Sequence, residues 1–589
     1  SGDSISIAAG NFGAASFGTL DVSASSNFTV NVGTILVAVN AQNPGGNFPW
    51  TGTLNLGTNN TITASASITV GDSASAFNAA SSQAVFTTAA NGTTTILTPT
   101  LILGARKCNP TFTYGASSTF NVGVAGNRTA LSIGNCAALG QLGTGTSFSS
   151  LNNFSPGIFN GVLSGLTIGT INNTGGGGQT GTMIIGTNAV NHLDISGAGN
   201  VVVLGKNSLG GGAGTATGIL TVSNLDAGSV IASTDNSTAI LLGATAQSAG
   251  TLNLNGGTLK VTTTGAAIAG GSGSSTLNLN GVKLVAGANS TSFITNLTTA
   301  TVNSGGVAFD TANFNITVGQ VLANGSGGLT KLGAGKLTLA KADTYAGNTM
   351  IGAGTVALQE PGNIASSAQI IVSNGAVLDV TGRTDRTLTL NNGKTLRGSG
   401  TVLGKLNAIS GSTISPGDGI GTLIVQSNVT LAGTVVLELN RTNIQTSDKL
   451  AATNGTIAGG GILTVNNLGP ALQAGDAFVL FNQAVGGFTT VNLPALGTGQ
   501  AWMNNVSVDG SIRVAATDPP GLAFDIAPDQ LTLSWPLDHL GWRLQVQTND
   551  VLTGLNANWF DVPNTSGTNQ LAVPVSPMNG SVFFRLIYP

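Results

Sequence analysis

Thr251-Leu252-Asn253-Leu254 returns as Thr276-Leu277-Asn278-Leu279, and more loosely as Thr301-Val302-Asn303-Ser304. Gly256 recurs as Gly281 and Gly306, and Leu259 as Leu284 and Phe309. Short alternating apolar runs, cut by Gly and Asn at one fixed period, are the mark of a solenoid. Alternation sends Leu252 and Leu254 inward and leaves Thr251 and Asn253 outside. Stacking the next coil then sets Leu277 over Leu252 and Leu279 over Leu254, with Asn255 and Asn280 aligned at a corner. Parallel stacking suits this, because each coil supplies the crossover that parallel strands require.

The pattern extends outward on both sides. Ser4-Ile5-Ser6-Ile7, Thr53-Leu54-Asn55-Leu56 and Ser67-Ile68-Thr69-Val70 alternate in the same way, as half-buried strands do. No stretch has a capped helical period, so helix is expected to be scarce. The predicted fold is all-β: a right-handed parallel β-helix, with irregular coils over 1–250 and regular coils over 251–517. Gly175–Gly178 and Gly210–Gly214 read as loops protruding from the irregular coils. At Asp518-Pro519-Pro520-Gly521 the composition shifts. A linker over 518–524 leads to a small antiparallel β-sandwich-like domain over 525–589, which holds Trp535, Trp542 and Trp559 as expected core.

Of 589 residues, 87 are glycine and only 7% are charged, against about 25% charged in a typical soluble domain. Net charge is −3 with no basic cluster, which excludes nucleic acid and anionic membrane surfaces as natural partners. The longest apolar runs fall far short of the roughly 20 residues that span a bilayer, so no membrane insertion is expected. The chain starts at Ser1 like a mature, processed product. Cys108 and Cys136 are the only cysteines. They are predicted to lie one coil apart and form a disulfide, which would stabilise the fold by roughly 3–4 kcal/mol.

From Gly327 to Leu358 the chain reads GGLTKLGAGKLTLAKADTYAGNTMIGAGTVAL. Its Gly-Leu-Thr-Lys, Gly-Lys-Leu-Thr-Leu and Thr-Tyr-x-Gly-x-Thr elements resemble the autotransporter-associated β-strand repeat. Ser415-Pro416-Gly417 followed by Gly421-Thr422-Leu423 looks like the coil that often follows such repeats in large secreted proteins of Gram-negative bacteria. The resemblance implies a secreted parallel β-helix and supplies no activity. The translocating barrel usual at the C-terminus of that family is not expected here.

Polysaccharide lyases and hydrolases on β-helices need paired carboxylates or a clustered Asp–Lys–Arg set. Residues 1–193 hold only Asp3, Asp21 and Asp72 as acids, and the two glutamates, Glu360 and Glu438, are far apart. His192 and His539 stand alone. The densest charge group is Arg383, Asp385, Arg386, Lys394 and Arg397, read as a solvated salt-bridge patch. Gly417-Asp418-Gly419 reads as a turn rather than a calcium loop. Gly333-Ala334-Gly335-Lys336 lacks the Ser or Thr of a phosphate loop. No catalytic residue, metal site or cofactor is assigned. Trp50 and Trp502 are candidates for glycan contact, each read first as a packing plug.

The expected role is a structural element outside the cell or at its surface, not an enzyme. Its first expected partner is itself, head to tail, in a filament or layer. The alternative is an adhesin or glycan-binding stalk that takes surface polysaccharide, with a lyase or hydrolase third.

Overall fold

The fold is a computed structural model that describes residues 2–10, 15–40, 50–73, 83–106, 108–136, 147–172, 177–186, 190–208, 214–323, 325–550, 552, 554–576 and 580–588. The protruding loops expected within Gly175–Gly178 and Gly210–Gly214, and Phe48-Pro49 beside Trp50, lie largely outside the described residues. Two compact units are present: Ser1–Ala368 with Thr381–Thr384, and Gln369–Val380 with Asp385–Pro589.

The first unit is a stack of parallel β coils. Leu252 pairs with Leu277 and Leu254 with Leu279, in the register the repeat predicts. The amides outside stack with them: Asn278 Nδ2 donates to Asn253 Oδ1 at 2.8 Å and Asn280 Nδ2 reaches Asn255 Oδ1 at 3.4 Å.

Residues 1–250, expected to be irregular, share one constant device. An apolar-x-apolar strand enters the core and turns a corner at Ala8, Ala38, Gly71, Gly104, Gly134, Gly169, Gly205 and Gly243, every one with positive φ. The residues just before these corners stack in register, as Ile7–Val37–Val70–Leu103–Ile133–Ile168–Leu204–Leu242. Successive corners are unevenly spaced, closest from Ala8 to Ala38 and from Gly104 to Gly134 and furthest from Gly205 to Gly243. The coils vary in length while their corner does not. Six of the eight corners are glycine because a Cβ is disfavoured in the left-handed region.

A second glycine column crosses over the first. Gly181, Gly218 and Gly250 pair in register on another parallel ladder. A Cβ on Gly218 would lie 2.2 Å from the Ile168 carbonyl oxygen and 2.4 Å from the Gly205 nitrogen. At this crossing backbone packs on backbone with no room for a side chain.

The second unit has parallel ladders of its own, one running Thr387–Leu390, Lys405–Ala408, Val429–Leu431, Ile457–Gly459. Its coils give way to an antiparallel sheet of Ala477–Val479, Ser511–Ala516 and Gln500–Asn505. A stack of parallel coils ends on unpaired strand edges unless something covers them. The C-terminal module docks here. Trp542 Nε1 donates to the Ala516 carbonyl at 2.9 Å, and Gly541 sits against Met503, where a Cβ would meet Sδ at 2.2 Å.

That module has six strands: β1 (Ala523–Ala527), β2 (Gln530–Ser534), β3 (Arg543–Asn549), β4 (Phe560–Asp561), β5 (Gln570–Pro574) and β6 (Ser581–Ile587). They form two three-stranded antiparallel sheets, ordered β1-β2-β5 and β4-β3-β6. Trp535 and Trp542 are core, as expected. Trp559 is half-buried, with the Arg585 guanidinium 4.3 Å from its ring centroid.

Candidate functional site

The strongest polar constellation in the coils centres on His192, which does not stand alone. His192 Nδ1 lies 2.9 Å from Asp226 Oδ2, and Ser229 Oγ donates to Asp226 Oδ1 at 2.7 Å. His192 opens the strand His192–Gly197, and Asp226 follows the strand Ala216–Leu225 of the next coil. The two are 34 residues apart, about one coil of this region. Burial would raise the Asp226 carboxyl. Hydrogen bonds from Ser229 and His192, with the attraction of the imidazole, outweigh it and hold its pKa below the ordinary value.

Two residues on, Asp194 takes a bidentate contact from Arg128, Nη2 to Oδ2 at 2.7 Å and Nη1 to Oδ1 at 3.0 Å. On the neighbouring coils Asn160 Nδ2 donates to Asn121 Oδ1, and Asn160 stands in register with His192. The result is a half-exposed polar stripe able to offer amides, a guanidinium and an imidazole to a ligand. Ser229 lies on the carboxylate side of the His–Asp pair. It is therefore not in the nucleophile–histidine–carboxylate order of a hydrolase triad.

The other candidates resolve as structure. Trp50 is 1% exposed, so its rings are core and offer no platform to a sugar. Trp502 is half-buried; its Nε1 donates to the Pro494 carbonyl at 2.8 Å and its ring packs 6.4 Å from Phe478. His539 is held at both nitrogens, by Asp538 Oδ1 at 2.7 Å and the Asp518 carbonyl at 2.9 Å. Of the expected charge patch, Arg383 donates to the Gly362 carbonyl. Arg397 reaches the exposed Asp418 at 3.5 Å. Gly417 and Gly419 both have positive φ, as a turn requires. Among the described residues no group of three or more His, Cys, Asp or Glu side chains could hold a metal ion.

The disulfide is a correction: Cys108 and Cys136 are buried thiols, not a cystine. Cys136 lies two residues past the corner Gly134, whereas Cys108 lies four past Gly104, so stacking does not superimpose them. The Cys108 sulfur faces Gly71, while Cys136 packs with Phe148, Ile171 and Ala216. Burial, helped by the Asp72 charge, pushes the Cys108 thiol up to about 12.

The residues that carry the strand-repeat resemblance are internal fasteners. Lys331 is fully buried, and its Nζ donates to the carbonyls of Leu332, Gly333 and Ala353 at 2.8, 2.7 and 3.1 Å. Burial pulls its pKa down to about 8 against the opposing pull of Asp310. Tyr345 Oη, Thr349 Oγ1 and Ser367 Oγ form a buried chain with 2.6 Å links.

Beside them Asp343 accepts the Leu322 amide at 2.8 Å through Oδ1, while Oδ2 is buried with no hydrogen-bond partner. Burial pushes this carboxyl up to about 7. A folded-state pKa above the unfolded value means its contribution is fully present below about pH 4 and lost as pH rises through about 7. Asp343→Asn keeps the acceptor and cannot ionise. We expect the variant to gain stability over wild type by about 2–4 kcal/mol between pH 5 and 8, read as denaturant midpoints at the two pH values. An unchanged difference would show that Asp343 does not titrate in this range.

No protein-family model matches the chain. An extracellular serine protease of Serratia marcescens is 32% identical to it over 139 residues, 24% of this chain and 11% of that protein. The adhesin BmaC autotransporter of Brucella suis biovar 1 (strain 1330) is 32% identical over 134 residues, 21% of this chain and 4% of that protein. The chain therefore matches only a small part of either relative's length. With the parallel coils, these likenesses mark it as an autotransporter-like β-helix of the secreted or cell-surface kind. No helix among the described residues is long and apolar enough to cross a membrane.

Proposed function

We propose that this chain is an extracellular structural protein whose coils form an unreactive scaffold and whose C-terminal module joins copies into an extended assembly. The observation that carries this reading is the distribution of exposed apolar side chains. Among the described residues, eight of the nineteen exposed large hydrophobics fall between Phe524 and Val582, in about a tenth of the chain. Grouping of this kind is the usual sign of an interaction surface. Over the coils, by contrast, ladders such as Thr221–Asn253–Asn278 present hydroxyl and amide groups without charge. Sedimentation velocity over a concentration series tests the reading. We expect species larger than the monomer to grow with concentration; one boundary at the monomer mass throughout would refute it.

A second reading, a glycan-binding adhesin, is favoured by the Arg128–Asp194–His192 stripe and by the relative that is itself named an adhesin. Glycan-array binding that disappears in Asp194→Ala would move the assignment there. Cleavage of a polysaccharide or protein substrate by the purified chain would overturn both readings.

A further inference from the structure

Among its described residues the C-terminal module leaves a gap in its own interior. A cleft of about 500 Å³ lies between its two sheets, lined by Leu531 and Val573 from one sheet and by Val546, Val582 and Phe584 from the other. Among the described residues no charged side chain lines it. Two strands at its border, β5 and β6, are sheet edges that among the described residues pair on one side only, β5 with β2 and β6 with β3. An apolar cleft bounded by unpaired backbone edges fits an added strand better than a lipid chain, because a strand also satisfies the edge's peptide groups.

The same module carries a strand of matching form at its other edge. All five residues of β1 are exposed, Phe524 by 69% and Ile526 by 67%. Phe524 stands opposite Leu533 and Leu533 opposite Leu571; Ile526 stands opposite Leu531 and Leu531 opposite Val573. Directly opposed residues share a face of the sheet. Phe524 and Ile526 therefore project on the face that carries Leu531 and Val573 and looks into the cleft. They overhang the sandwich instead of filling it.

We propose that β1 of one copy lies along the free edge of β5 in the next copy and inserts Phe524 and Ile526 into its cleft. This deepens the assembly reading and rests on it. The sheet then continues from copy to copy. Donor and acceptor are different edges, so the contact is heterologous and does not close on itself. Pro574 marks the end of the usable edge, because it has no N–H to offer an incoming strand.

The test uses full-length chains in sedimentation velocity. The donor variant Phe524→Asp/Ile526→Asp and the acceptor variant Val582→Arg, each alone, are expected to remain monomeric where wild type assembles. Mixed one to one, they retain one good donor and one good acceptor, and are expected to form a 1:1 complex that grows no further. Ile526→Thr keeps a strand-forming residue, and is expected to weaken assembly at least tenfold with no change in circular dichroism. If donor and acceptor variants assemble like wild type, this contact is wrong while the broader reading stands. If wild type itself never assembles, both fall.

Discussion

Gly218→Val is expected to lower the unfolding free energy by roughly 3 kcal/mol or more, a loss in the range reserved for overpacked or strained sites. The argument is geometric. Even the first carbon of the new side chain would sit 2.2 Å from the Ile168 carbonyl oxygen and 2.4 Å from the Gly205 nitrogen. Both neighbours are backbone and cannot rotate away. Relief would require one coil to lift off the next, which would break the parallel pairing of Ile168 with Leu204. Gly126→Ala is the control, since its Cβ meets nothing within 4 Å and its φ is not positive. It is expected to stay within about 0.5 kcal/mol of wild type. Urea midpoints by circular dichroism decide the matter; equal midpoints for both variants would show that the glycine crossing does not hold the coils.

Arg106→Met is expected to cost about 3–5 kcal/mol, the usual penalty for removing one member of a buried ion pair. Arg106 Nε and Nη2 meet the two carboxylate oxygens of Asp72 at 2.5 and 2.7 Å, and the side chains are only 5% and 15% exposed. The pair sits just beyond the corners Gly71 and Gly104 and ties two coils together. Without the guanidinium, Asp72 keeps a charge in a site of low polarity, near a Cys108 thiol that its charge already disfavours from ionising. The double variant Asp72→Leu/Arg106→Met is expected to recover most of the loss, because no orphaned charge remains. A single variant as stable as wild type, by the same midpoints, would mean that the pair is solvated and its loss inconsequential.

The parts of this fold that are legible in sequence are those where coil length is constant. Leu252, Leu277 and their neighbours recur at one fixed spacing, so both register and amide ladder can be read directly. Over residues 1–250 the corners fall at uneven intervals, and variable excursions erase any fixed period. The surviving signal is a short one, apolar-x-apolar followed by Gly or Ala, as in Ile68-Thr69-Val70-Gly71 and Ile240-Leu241-Leu242-Gly243. Aligning on that corner instead of on a period would have shown that Cys108 and Cys136 are out of step. The stretch from Gly327 to Leu358 lies on parallel strands, but the sequence pattern alone does not place Lys331 and Tyr345 inside. Lysine is rarely fully buried, and only the three carbonyls around Nζ explain it. In the C-terminal module alternation marks five of the six strands, and β1 falls across the expected linker. Alternation could not show that Phe524 and Ile526 hang free, because burial depends on what the opposing sheet covers.

Electron microscopy of the purified full-length protein at rising concentration tests the central claim most directly, that the coils are a scaffold and the C-terminal module is a joint. The expected images show particles linked into open-ended strings whose length grows with concentration. Separate particles of one size at every concentration would contradict it.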